Sequence, residues 1–368
     1  MKKVVGALAI IALATPAYAQ FGAINKGLKR AQQVQDLQIT EQEEQQIGTD
    51  VSARIRTRFG VVQSADLHKY VTSVGMLLAR ESSRPGLPWK FIVLDTDGVN
   101  AFASPGGFVH ITKGALALIE NEAQLAGVLG HEIVHVTEKH TINAIKKSKA
   151  VQIGAEEAGG SKGAIVQALA GKAYEMIIEN SFDRGDEAES DDKGVKLAAK
   201  AGYAPAGLAE FLTRLADRNK NQKERNGLFA SHPEMKDRIA KIRKEADALR
   251  GPNALVEARY HANVTYEPKD VTEVPQATEG SAGLAGGSTS KPPAEAADKP
   301  QEPPKKKGFG LSSLKKAVAP ESQSAQVSAS GGARGVGPDR NARGGPNPAL
   351  VNVTVSTAEL AAFKKGIA

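Results

Sequence analysis

The sequence predicts an α+β fold, mainly helical, with one small β-sheet and a long C-terminal extension that does not fold. Three observations predict it. Between about residues 40 and 250 the apolar residues recur mostly at helical spacing. That period gives way only around Trp89–Thr112, where short apolar runs alternate with Asp-Gly and Pro-Gly breaks. Ten of the 18 prolines lie after Pro268, in stretches without apolar periodicity that cannot offset the entropy of ordering.

In chain order, the first nineteen residues read as a secretory leader. Lys2 and Lys3 precede the apolar run Val4–Leu13, and Ala17-Tyr18-Ala19 supplies the small residues for cleavage. Residues 24–58 are polar, with spaced apolar positions such as Ile47, Val51 and Ile55, as in amphipathic helices lying outside a core. Thr40 and Glu43 resemble a capping box and place one helix start near Thr40. Leu67–Leu78 reads as a helix stopped by Ser82-Ser83-Arg84-Pro85-Gly86. Trp89–Leu94 reads as a strand, as do Asn100–Ser104 and Gly107–Thr112 on either side of Pro105-Gly106. Further helices are expected over about Asn121–His140, Asp186–Ala201, Pro205–Arg218 and Pro233–Arg250. The stretch 146–180, with Gly159-Gly160-Ser161 in its middle, is read either as a mobile cover or as an ordinary helical hairpin. Residues 269–368 form the extension. Within them, 349–363 carries the alternation of Val351, Val353 and Val355 and the helical spacing of Leu360 and Phe363.

Composition narrows the function classes. The chain has 368 residues, 41% hydrophobic and 24% charged, within the ordinary globular range. Its formal charge of +7 falls to +5 without Lys2 and Lys3, and it is spread thinly. No basic stripe with interleaved aromatics occurs, which argues against nucleic acid as a partner. Because the chain has no cysteine, a zinc site would have to use histidine and carboxylate.

His131-Glu132-Ile133-Val134-His135 carries the strongest chemical signal. On a helix, positions i and i+4 share a face, so both imidazoles can reach one metal ion while Glu132 reaches a water beside it. Leu125, Val128, Leu129 and Val136 make that helix a core element. Two imidazoles and a carboxylate buried there without a ligand would be costly. A catalytic zinc needs a third protein ligand and an open position. The best candidates are Glu187 and Asp191, four apart on a second helix, one as ligand and the other behind an imidazole. His110, His140, His68 and His261 take blander readings: a strand residue facing solvent or a pocket wall, a helix end, and two without a nameable partner.

Asn121–His135 resembles the active-site helix of metallopeptidase family forty-eight. Glu187-x-x-x-Asp191, preceded by Arg184 and followed by Gly194, is similar to that family's second motif. Asn100–Gly107 resembles the stretch leading into its active-site edge strand, and Ser231-His232-Pro233 with Arg238 resembles its downstream motif. The likeness covers about residues 40–250, within a peptidase domain expected over 20–268. It implies a zincin-like fold with one zinc on His131, His135 and Glu187, and Glu132 as general base. Asp191 would steady His131, with Arg184 and Arg238 also behind the ligands. His232 would act at the open position, either stabilising the oxyanion or covering the metal. The strand containing Gly107, Phe108, Val109 and His110 would be a sheet edge that pairs with an extended substrate.

The resemblance further implies a periplasmic endopeptidase acting on protein or peptide substrates in envelope quality control, associated peripherally with the outer membrane. The extension would meet outer-membrane or envelope assembly partners. The rival reading is an assembly factor or chaperone whose zinc stabilises the fold. A cell-wall hydrolase is a weaker rival, since no peptidoglycan-binding module is visible.

Overall fold

The computed structural model describes residues 39–147, 162–179, 182–220, 232, 235–249, 253–274 and 347–367. The expected leader, the stretch before residue 39 that the sequence reads as helical, and most of the extension lie outside them.

Thr40 caps α1 (Glu41–Phe59) in a full capping box with Glu43, and Gly60 ends it at φ 75°. Ile47, Val51 and Ile55, four apart, bury one face. Ser64 caps α2 (Ala65–Arg80), whose Tyr70, Val71, Val74 and Leu78 enter the core. Three strands follow: β1 (Lys90–Leu94), β2 (Ala101–Ser104) and β3 (Phe108–Thr112). Their order is β1-β3-β2, with β1 parallel and β2 antiparallel to β3.

Strand alternation sorts the sheet residues between two cores. Phe91, Val93, Ala101, Ala103, Val109 and Ile111 join the larger one, with α2 and the helices that follow. Ile92, Leu94, Phe102 and Phe108 join a smaller one with α1. Both faces are therefore dry, which explains why these strands read as apolar runs.

This order corrects one expectation. The strand with Phe108, Val109 and His110 is the centre of the sheet, hydrogen-bonded on both sides, and has no free edge. Gly107 belongs to the tight turn Pro105–Gly107 before it. The edges are β1 and β2, and β2 packs against the helix of the His-Glu-x-x-His motif.

The short α3 (Lys113–Leu118) leads to α4 (Glu122–Thr137), capped by Asn121 and buried along its whole length. The helix expected to run on to His140 instead breaks. Lys139 adopts φ 58°, and a new helix, α5 (His140–Lys147), sets off from it. Helix α6 (Lys162–Glu179) packs Leu169, Ala170, Ala173 and Ile177 into the smaller core beside α1. Half of the 146–180 stretch is thus a packed helix, while residues 148–161 lie outside the description.

Asp183 caps α7 (Arg184–Ala201), accepting from the amides of Gly185 and Asp186, and Gly202 closes it at φ 110°. Helices α4 and α7 cross at glycines. A Cβ on Gly194 would stand 2.9 Å from the His131 amide nitrogen, and one on Gly130 would stand 2.9 Å from the Gly194 carbonyl. This close crossing brings the two motif helices within side-chain reach. Helices α8 (Gly207–Arg218), α9 (Met235–Ala248) and α10 (Glu257–Asn263) complete the domain.

The extension does not simply trail away. Residues 347–367 return to the domain, with the Val61 amide donating to the Asn347 carbonyl. Helix α11 (Thr357–Lys365), capped by Ser356 and Glu359, buries Leu360. The Val351–Val355 alternation, expected as a strand, joins no sheet. No helix among the described residues is long and apolar enough to cross a membrane.

Candidate metal centre

His131 and His135 lie one turn apart on the sheet-facing helix α4. Their Nε2 atoms converge to 3.0 Å, with ring centroids 4.7 Å apart. From α7, Glu187 brings Oε1 to 3.5 Å from His135 Nε2 and Oε2 to 3.7 Å from His131 Nε2. His232 completes the group, its Nδ1 2.7 Å from Glu187 Oε1 and 3.3 Å from His131 Nε2. One donor atom from each of the four lies within 4.8 Å of every other, and all four residues are buried.

These donors fit a zinc ion. Tetrahedral coordination at about 2.0–2.1 Å spaces ligand atoms roughly 3.3 Å apart, close to the separations seen. Protein contacts alone do not explain the arrangement. Both oxygens of Glu132 are buried and lack a hydrogen-bond partner among the described residues. Leaving a carboxylate in that state costs several kcal/mol, on the order of a full desolvation penalty. The nearest basic side chain is His232, whose Nε2 stands 3.7 Å from Glu132 Oε1.

A second layer of polar groups holds the donors. Asp191, one turn after Glu187 on α7, places Oδ1 3.0 Å from His131 Nδ1. Arg238 from α9 forks onto both Asp191 oxygens at 2.7 and 2.8 Å, reaches Glu187 Oε2 at 2.8 Å, and donates to the His232 carbonyl at 3.3 Å. One guanidinium thus ties α7 and the His232 segment to a single point, as its planar fork allows.

Charge states follow burial and neighbours. Burial raises the Glu132 carboxyl above its ordinary range, against the pull of His232 and His131. Burial would also raise Glu187, but His232, His135 and His131 together hold it far below that range. His135 is pushed down by burial. Burial would lower His232 as well, yet Glu187 and Glu132 bring it up. Burial raises and Arg238 and His131 lower Asp191, with a net fall.

The structure brings together His131, Glu132, His135, Glu187, Asp191, His232 and Arg238. Arg184 is exposed in the first turn of α7, three residues before Glu187. The structure does not bring in His110. The pleat turns that side chain towards α1, where its Nε2 lies 2.9 Å from Ser52 Oγ and its Nδ1 3.3 Å from the Phe102 carbonyl. His68 likewise has partners, with Nδ1 2.9 Å from the Ser64 carbonyl and Nε2 accepting from the Val93 amide. Two site neighbours carried no readable signal. Phe182 lays its ring 4.1 Å from that of His135, and His140 sits 3.0 Å behind the same imidazole.

A His-Glu-x-x-His helix joined by a carboxylate from the next helix is the donor set of a metallopeptidase. The comparisons place it in a family. Residues 65–246 match the family model described as peptidase family M48, and the domain that carries the site belongs to that family. Among its relatives are the beta-barrel assembly-enhancing protease of Escherichia coli K12, 27% identical over 56% of this chain and 45% of the relative. The metalloprotease LoiP of the same organism is 29% identical over 50% and 73%. The mitochondrial metalloendopeptidase OMA1 of Schizosaccharomyces pombe is 28% identical over 54% and 60%. The chain spans less than half the length of its assembly-enhancing relative.

Proposed function

We propose that this protein is a zinc metalloendopeptidase, with the ion held by His131, His135 and Glu187. The observation that carries the reading is the buried carboxylate of Glu132, without a hydrogen-bond partner among the described residues, beside three convergent donors. When bound, zinc would acidify the attacking water and polarise the scissile carbonyl. Glu132 would take the proton of that water and deliver it to the leaving amine. Asp191 accepts from His131 Nδ1 and keeps that imidazole in one tautomer, while Arg238 holds both carboxylates in place.

His232 stands with the other donors, where it would take the position that the attacking water needs. We read it as a cover that withdraws when substrate enters, with Arg238 on its carbonyl as the tether. A His232→Ala variant that cleaves peptides faster than wild type supports the cover. A slower one supports oxyanion stabilisation.

The assembly-factor reading is less well supported, because a structural zinc gives Glu132 no task. A substrate strand that pairs with the sheet would use β2, the edge beside α4. The assembly-enhancing and LoiP relatives, together with the leader-like first nineteen residues, favour a periplasmic enzyme acting on envelope proteins, with the extension as the contact to assembly partners. Casein cleavage by the purified chain, lost with a chelator and restored by zinc, tests the activity. Cleavage that survives full removal of metal would overturn it.

A further inference from the structure

His140 lies five residues beyond His135. On one continuous helix that spacing would carry it well off the ligand face. The left-handed turn at Lys139 changes this, restarting the chain as α5 and folding the ring back beneath His135. The two Nδ1 atoms stand 3.0 Å apart, with the rings nearly perpendicular at 81°. On its far side His140 Nε2 lies 3.1 Å from Glu189 Oε2 and 3.8 Å from Asp186 Oδ1. Ser190 Oγ is 3.4 Å from His140 Nδ1. His140 is buried, whereas Glu189 reaches the surface and pairs with Lys193 at 2.7 Å.

Two ring nitrogens 3.0 Å apart must share one proton, one donating and the other accepting. If His135 Nε2 is a metal ligand, its lone pair is committed and the ring proton sits on Nδ1. His140 Nδ1 must then accept, which leaves the proton of His140 on Nε2. There Glu189 waits with a carboxylate, which only accepts. The three groups therefore admit one arrangement: His135 donates to His140, and His140 donates to Glu189.

We infer that His140 is a positioning residue for the metal, an imidazole that fixes the tautomer and ring plane of His135. The inference rests on the zinc reading above. It makes the two ligand imidazoles alike in design but different in partner, since His131 leans on the carboxylate of Asp191 and His135 on a second imidazole oriented from the surface.

Zinc affinity, measured by competition with a chromophoric chelator, tests it across wild type, His140→Leu and His140→Asn. Leucine offers no acceptor, whereas the Asn amide oxygen falls near the place of Nδ1. His140→Leu should weaken zinc by about 10- to 100-fold, and His140→Asn should recover most of that. Wild-type affinity in His140→Leu, or equal losses in both variants, overturns the inference. If neither variant folds, two-bond proton–nitrogen spectra of the zinc-loaded wild type decide, with His140 marked by its shift in Glu189→Gln. The expected pattern is His140 protonated on Nε2 and His135 on Nδ1, and the reverse pattern for His140 overturns it. A wild type that binds no zinc removes the parent reading as well. Tight binding that ignores His140 removes only this one.

Discussion

Glu132 is buried beside His131 and His135 with no hydrogen-bond partner for either oxygen among the described residues, so on the zinc reading its value lies in chemistry rather than folding. Glu132→Gln should therefore keep full zinc content and thermal stability while turnover falls by about 10²- to 10⁴-fold. Metal analysis beside peptide-cleavage rates checks this. His110 makes a separate prediction about pH. Burial lowers it from 6.5 to about 3, opposed by the Phe102 carbonyl and reinforced by Arg56, so it stays neutral in the fold. The unfolded chain binds that proton below pH 6.5 and the folded chain does not, so stability falls as pH drops from 6.5 towards 3. The slope is about 1.4 kcal/mol per pH unit. His110→Gln should flatten the loss of denaturation free energy between pH 6.5 and 5 relative to wild type. At this scale the motif residues were readable because spacing on one helix fixes which side chains share a face. His140 was not, because its spacing points away from the site unless the helix breaks, and Thr137-Glu138-Lys139 contains no glycine to announce a break.

Two helices make the site, and their distance apart is set by glycine. With Gly194 against the His131 amide, α4 and α7 approach closely enough for Glu187 and Asp191 to span the gap. Gly194→Ala should push the helices apart, costing about 1–3 kcal/mol in denaturant unfolding and weakening zinc binding in parallel. A variant that loses stability but holds zinc as tightly as wild type would contradict this geometry. The sheet shows where pattern reading stops. Its three strands were legible as apolar runs, but with both faces covered their alternation carries no polar mark. Nothing in the residues says which strand is central, and the resemblance points to β3 as the substrate edge, whereas β2 and β1 hold the edges.

For the whole molecule, the least legible feature was the return of the chain end. Residues 347–367 read as the close of a Pro-rich extension, with only the Val351–Val355 alternation and the spacing of Leu360 and Phe363 to hint at order. Their partners lie between about one hundred and three hundred residues away. Lys69 pairs with Glu359 at 2.7 Å, and Arg259 donates to the Phe363 carbonyl at 2.9 Å with its guanidinium 3.9 Å from the Phe363 ring centre. The same Arg259 grips buried Glu122 in the first turn of α4, beside the hydroxyls of Tyr70 and Tyr203 at 3.1 Å. The chain end thus braces the start of the helix that carries the histidines. Leu360→Ala should cost about 2–4 kcal/mol in denaturant unfolding, as for other buried leucines. A cost near zero would show that the chain end is dispensable.

The central claim is that one zinc ion bridges α4 and α7. Crystals of the zinc-loaded protein, measured on either side of the zinc absorption edge, test it directly. The account predicts a single anomalous peak about 2.0–2.2 Å from His131 Nε2, His135 Nε2 and a Glu187 oxygen. No peak among those three side chains, in crystals whose protein binds zinc elsewhere or not at all, would contradict it.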